Sequence, residues 1–294
     1  MIGRLLISLA LVPSIFGSNA RTLAAEPATK PGIEEKTRAL AEKWKERFAT
    51  ERFNVVVSAP FVIAGDGTPA QLAGYRDGTV RAAARAMRAQ FFTTPPDEPI
   101  LILLFESAGP YERLSKAWFG ADDLPHYGLY RHHDRTMLMN VSTGTGTLVH
   151  ELAHALIVPD FPDVPDWFNE GLASLYEQSQ FGPGGASIRG LPNWRLPGLQ
   201  RALKDGTLRP LPEMIEDNDF RNPGRVGINY AQARYLMFYL QERKLLERYY
   251  ADFRAARHED PTGLMTLKKL IAPQSMDAFE KDWRAWVMTL DFGR

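Results

Sequence analysis

The run His150-Glu151-Leu152-Ala153-His154 fixes its own local structure if its two histidines are to act together. At a helical 100° per residue, Leu148, Leu152 and Leu156 fall at about 0°, 40° and 80°, while His150 and His154 fall at about 200° and 240°. One face of such a helix is core, and the other presents two imidazoles from residues four apart. Glu151, at about 300°, flanks the pair without joining it. Both imidazoles can then reach a single zinc ion at about 2.0 to 2.1 Å, with Glu151 left to approach a water on that ion.

Two ligands do not make a catalytic zinc site, which takes three protein ligands and keeps one position open. The stretch Trp167-Phe168-Asn169-Glu170-Gly171-Leu172-Ala173 offers the third as Glu170 on a second helix. Residues 155 to 169, fifteen in all, separate His154 from Glu170, and Pro159, Pro162 and Pro165 among them force a turn. Asp166 is placed to cap the second helix. Gly171 inside it costs about 1 kcal/mol relative to alanine, which is reasonable if its backbone must lie close against the His150 helix. Each piece alone has a plainer reading: stray surface histidines, and a solvated acid at Glu170. Their combination favours a metal site.

Composition narrows the chemistry further. The 294 residues carry 35 basic and 35 acidic side chains, a balance that argues against nucleic acid as a partner. Cysteine is absent, so disulfides and thiolate chemistry are excluded and any metal must be held by His, Asp or Glu. At the N-terminus, Arg4, an apolar run over residues 5–16, and the small residues Ser18 and Ala20 read as a signal peptide over residues 1–20. Twelve apolar residues broken by Pro13 fall short of the roughly 20 that span a bilayer. The expectation is export, to the periplasm or medium if the source is bacterial, with no stable membrane span after cleavage.

A tether over 21–32 leads into alternating helices and strands over 33–145. The pattern predicts a helix over 33–50, a valine-rich strand over 53–63, a helix over 70–92 and a buried strand over 100–105. A short helix over 111–119 closed by Gly120 follows, then a hairpin from 129–130 and 136–141. Arg81, Arg85 and Arg88 read as a solvated helix face. From 146 to 294 the chain reads as helical, apart from a Gly/Pro loop over 181–197. Met276, Phe279, Trp283, Trp286, Val287 and Leu290 form the core stripe of the last helix. His126, His132, His133 and His258 lack ligand spacing and read as surface residues. Gly144 and Gly146 read as turn residues, without a phosphate-loop pattern.

H-E-L-A-H followed by W-F-N-E-G-L-A resembles the gluzincin zinc metallopeptidases, in particular the peptidase MA-like family and its aminopeptidase N-like branch, over roughly residues 50 to 290. The resemblance implies an α+β zincin-like fold: a small twisted mixed sheet with helices and an edge strand beside the cleft, then the zinc helix, a glutamate helix and a helical C-terminal part. It makes His150, His154 and Glu170 the ligands of one zinc ion and Glu151 the general base. Tyr230, in Tyr230-Ala231-Gln232-Ala233-Arg234, resembles the tyrosine that stabilises the oxyanion. The chain departs from the aminopeptidases in three ways. Its fifteen-residue gap is shorter. Met137-Leu138-Met139-Asn140 stands where G-A-M-E-N would capture a free amine. Ser174 stands where some gluzincins carry an aspartate that orients a zinc-bound histidine.

The expected activity is zinc-dependent hydrolysis of peptide bonds, cutting within a peptide or protein substrate, with residues 137–140 as an exposed edge strand that could hold it. Two other readings stay open: a non-catalytic, zinc-stabilised peptide-binding domain of the cell envelope, and an envelope structural protein without metal. Glu151 favours the first, because a purely structural zinc has no need of a carboxylate beside an open position.

Overall fold

Strands buried on both faces read as continuous apolar runs rather than alternating ones, and Ile100-Leu101-Ile102-Leu103-Leu104-Phe105 is such a run. In the computed structural model, which describes residues 32–122 and 124–293, this segment is β3 (Ile100–Phe105), the middle of a five-stranded sheet. The preceding elements are α1 (Ile33–Thr50), β1 (Asn54–Ser58), β2 (Phe61–Gly65), α2 (Pro69–Tyr75) and α3 (Arg81–Gln90). The expected 70–92 helix is therefore interrupted, by a π-helical turn over Arg76–Val80. The expected 53–63 strand is two, paired antiparallel around Ala59-Pro60. Then come α4 (Ala108–Phe119), closed by Gly120 at φ 63°, and the hairpin of β4 (Gly128–Arg131) and β5 (Thr136–Asn140).

The strand order is β1-β2-β3-β5-β4, with β2, β3 and β5 parallel and the two outer strands antiparallel to their neighbours. Alternation along the strands divides the core in two. Val62, Leu101, Leu103, Phe105 and Leu138 face α1 and α4, packing with Phe48, Tyr111 and Leu114. Ile63, Ile100, Ile102, Leu104, Met137 and Met139 face the other way, into the larger core formed with the remaining helices. The sheet thus serves as the floor on which the helical C-terminal part rests.

This arrangement corrects one expectation. Residues 137–140 are not an exposed edge: β5 lies between β3 and β4, and every residue of it is buried. The edges are β1 and β4, and β4 is the one that lines the cleft.

After β5 the chain continues into α5 (Gly146–Asp160) and α6 (Asp166–Tyr176), a short hairpin of β6 (Ser179–Phe181) and β7 (Ile188–Gly190), and then α7 (Leu196–Lys204), α8 (Leu211–Ile215), α9 (Val226–Glu242), α10 (Leu246–Ala255), α11 (Leu264–Ile271) and α12 (Met276–Thr289). In α12, Phe279, Trp283 and Val287 are buried, with Met276, Trp286 and Leu290 packed beside them. Gly171 does mark a close helix approach, but to a different helix. A Cβ there would lie 3.2 Å from Ala233 on α9, so α6 crosses α9, not α5, at this residue. Asp166 is the first residue of α6 rather than its cap: Pro165 holds that position without a side-chain bond. Among the described residues no helix is long and apolar enough to cross a membrane. The expected signal peptide and all of the tether but Gly32 lie outside the described residues.

Candidate metal centre and cleft

The helix α5 has leucines and histidines on opposite sides, yet both sides are buried, because α6 and β4 close over the histidine face. His150 Nε2 lies 3.0 Å from His154 Nε2, and Glu170 Oε2 lies 3.4 Å and 3.5 Å from those two nitrogens. All three ligand atoms fall within 4.8 Å of one another. The turn after Asp160 has brought α6 back alongside α5, so that a carboxylate sixteen positions beyond His154 completes the triangle.

The donor set fits a divalent cation. Two imidazole nitrogens that point at each other at hydrogen-bond distance can satisfy one another only as donor and acceptor, and Glu170 Oε2 is buried with no hydrogen-bond partner. A buried oxygen left this way costs about 1 to 3 kcal/mol. A cation among the three atoms would satisfy all of them at once. Two nitrogens and one carboxylate oxygen, with no sulfur, match the His₂Glu set of catalytic zinc.

The outer atoms of the ligands are held as well. His154 Nδ1 is 2.8 Å from Asn169 Oδ1, and His150 Nδ1 is 3.0 Å from Glu177 Oε1. Each ring therefore turns its Nε2 toward the centre: Asn169 bonds the outer nitrogen of His154, and the Glu177 carboxylate stands against that of His150 as an ion-pair contact, the kind of outer support that orients metal-binding histidines. Glu177 is itself clamped by Arg195 Nη2 at 3.1 Å and Asn193 Nδ2 at 3.3 Å. Glu170 Oε1 is 2.9 Å from Arg221 Nη2, and the same nitrogen reaches Asp166 at 3.0 Å. Ser174, in contrast, has a buried hydroxyl with no partner and supports neither histidine.

Glu177 was not among the residues singled out from the sequence, although a signal was there. It lies seven positions after Glu170, two helical turns, so both carboxylates lie on the same side of α6 and its last turn. Arg221 carried no such signal.

Glu151 leaves the triangle and points toward the edge strand, where its Oε2 accepts a hydrogen bond of 3.0 Å from the Tyr130 N–H. Burial pushes its carboxyl up, against the opposing pull of His150 and His154. Burial would lower the His150 imidazole, but the facing carboxylates of Glu170 and Glu177 raise it. Glu170 is held down by the histidines despite its burial.

These groups sit in a cleft of about 1130 Å³ whose walls include β4, the turn before α5, Phe181, Trp194, Arg195, Arg221 and Tyr230. Tyr230 is half-buried in it. Burial and the negative charge of Glu170, with which its hydroxyl interacts, raise its phenol far above the usual tyrosine range, so it stays a neutral donor. His132, expected to be a surface histidine, also lines the cleft, with its ring 6.2 Å from that of His154. Burial, then His154 and Arg221, push its pKa down. His126 and His133 do not line the cleft, whereas Tyr127 does.

Residues 140–261, less than half of the chain, match a family described as a protein of unknown function, DUF1570. The matched segment starts at the end of β5 and spans α5, α6 and α9, so it contains His150, Glu151, His154, Glu170, Glu177 and Tyr230. No curated protein matches the chain.

Proposed function

We propose that this chain is a zinc-dependent peptide hydrolase of gluzincin type with a zincin-like fold, and that it cuts within extended peptides. The observation that carries the reading is the conjunction of a His₂Glu triangle with a second acid, Glu151, that stands beside it without belonging to it. A site that only bound metal for stability would close its coordination sphere with that acid.

Zinc held by His150, His154 and Glu170 would polarise the scissile carbonyl and lower the pKa of the attacking water toward about 7. Glu151 takes the proton from that water and passes it to the leaving amine. The Tyr130 N–H keeps the Glu151 carboxylate aimed between the triangle and the edge strand, where the bond to be cut must lie. Tyr230 donates to the oxygen that gains charge, a type of contact worth about 2.7 to 4 kcal/mol. Asn169 and Glu177 keep the imidazoles turned inward. The outer edge of β4 is the place for an extended substrate backbone to add as a further strand.

The test is to compare wild type with Glu151→Gln for zinc content and for cleavage of an unfolded protein substrate. The expected outcome is equal zinc and loss of cleavage. Equal cleavage by the two proteins refutes the mechanism. Zinc bound by both, with no cleavage of any peptide by wild type, favours the non-catalytic binding domain.

A further inference from the structure

Aromatic rings half open to water are costly unless something covers them in use, and this chain places its two most exposed large apolar side chains in one cleft. Among the described residues, Tyr127 at 56% and Trp194 at 55% exposure exceed every other large hydrophobic side chain, and both line the cleft of the His150–His154–Glu170 triangle. Isolated exposed apolar residues carry no message, but two that line one cleft beside a polar centre are the composition of a ligand pocket.

Both rings stand on fixed backbone. Trp194 follows Asn193, which is fully buried and bonded through its N–H and C=O to the Tyr235 hydroxyl. The next residue, Arg195, is tied to Glu177, and its guanidinium lies 5.4 Å from the Trp194 ring and 5.3 Å from the Tyr230 ring. Tyr230 in turn stacks on Phe220 at 5.8 Å. On the β4 side, Asn140 pins the chain before the edge strand, with its N–H donating to Tyr127 O and its Nδ2 to His126 O, each at 3.0 Å. A platform whose backbone is already ordered loses little entropy on binding.

The charges of the cleft also point to an uncharged occupant. Its two arginines are committed to carboxylates, Arg195 to Glu177 and Arg221 to Glu170 and Asp166. Of the acids, Glu170 and Glu177 are in those pairs and Glu151 is bonded to the edge strand.

We infer that Trp194 and Tyr127 form a subsite for a bulky apolar side chain of an extended peptide, next to the bond presented to the metal centre. The inference deepens the peptide hydrolase reading and rests on it for the peptide, not for the aromatic recognition. Substrates are then peptides with Phe, Tyr, Leu or Met beside the scissile bond, and peptides with an acidic or small residue there bind poorly.

The experiment measures binding, by calorimetry, to zinc-loaded Glu151→Gln protein. The probes are three acetylated and amidated hexapeptides that differ only in a central Phe, Ala or Glu. The Phe peptide is expected to bind about tenfold more tightly than the Ala peptide, the size of effect that one partly covered aromatic contact gives. Adding Trp194→Ala should bring that ratio to about twofold or less while zinc content and the affinity of the Ala peptide stay the same, Trp194→Phe should keep most of it, and Tyr127→Ala should reduce it. Equal affinity for the Phe and Ala peptides, a ratio that survives both Trp194→Ala and Tyr127→Ala, or no saturable binding of any probe would overturn the subsite. The two readings separate cleanly. A Trp194-dependent preference in a protein whose wild type cleaves nothing sinks the hydrolase and leaves the subsite, whereas cleavage without such a preference does the reverse.

Discussion

The helix α5 carries two buried polar clusters, and they are built on opposite plans. At its C-terminal end, Asp160 has a side chain with no solvent exposure, and it accepts bonds from Thr93 N and Oγ1, Thr94 N, the Tyr250 hydroxyl and Arg254, all between 2.6 and 2.9 Å. Both carboxylate oxygens have partners from the protein, four donors on Oδ1 and the Tyr250 hydroxyl on Oδ2. Two to three turns earlier, His150, His154 and Glu170 are just as buried, yet two imidazoles face each other and one carboxylate oxygen has no partner. A polar cluster that closes on itself holds elements together; one that stays open is arranged for something else. Asp160 ties the loop after α3 and the helix α10 to the end of α5, while the open cluster has the donor set that could hold a cation.

That contrast can be broken from either side. The largest effect is expected from Glu170→Gln, which should weaken zinc binding on the order of 10³-fold, the share of one ligand in a typical site, as read by competition with a chelating dye. Undiminished affinity would mean that the third ligand is another group. Next comes Asp160→Ala, which leaves Arg254 and two threonine N–H groups without their acceptor. It should cost about 3 kcal/mol in denaturant unfolding while zinc affinity stays within a factor of about two. A large change in zinc affinity would show that the two clusters are coupled and the contrast false. Glu177→Gln should lower zinc affinity about 10- to 100-fold, because His150 loses the carboxylate charge that stands against its outer nitrogen.

The smallest effect is on the pH dependence of stability. Burial alone would raise the Asp160 carboxyl, but hydrogen bonds from Tyr250, Thr94 and Thr93 lower it below the unfolded value. Its contribution is complete above the unfolded pKa, near pH 4, and is lost as pH falls through the lower folded pKa, at no more than about 1.4 kcal/mol per pH unit. Unfolding midpoints measured from pH 6 downward should therefore fall more steeply for wild type than for Asp160→Asn. Parallel curves would assign the acid sensitivity to other carboxylates.

The helix α5 was more legible in the sequence than the sheet. Helical phase alone separates Leu148, Leu152 and Leu156 from the histidines and sets Glu151 to one side, because both facts depend only on local geometry. Glu170 was reached through a second motif and a turn forced by prolines, which is still a short-range argument. The position of β5 was missed because strand order is decided by which strands pair in parallel, β3 with β5, over thirty residues apart. Met137-Leu138-Met139 did hold a clue, since an unbroken apolar strand is normally covered on both faces. Trp194, Arg195 and Arg221 come to the cleft from loops whose paths no periodicity describes. The Gly171 contact was read correctly as a close approach, but the partner helix lay sixty residues away.

The central claim is that the His150–His154–Glu170 triangle binds one zinc ion and keeps a position open beside Glu151. The most direct measurement is calorimetric titration of zinc into chelator-stripped wild type at several pH values, with Glu151→Gln as the comparison. One ion per chain in both proteins, with a proton released as His150 gives it up, is the predicted result. No saturable binding by wild type, or binding lost in Glu151→Gln because that acid closes the coordination sphere, would contradict it.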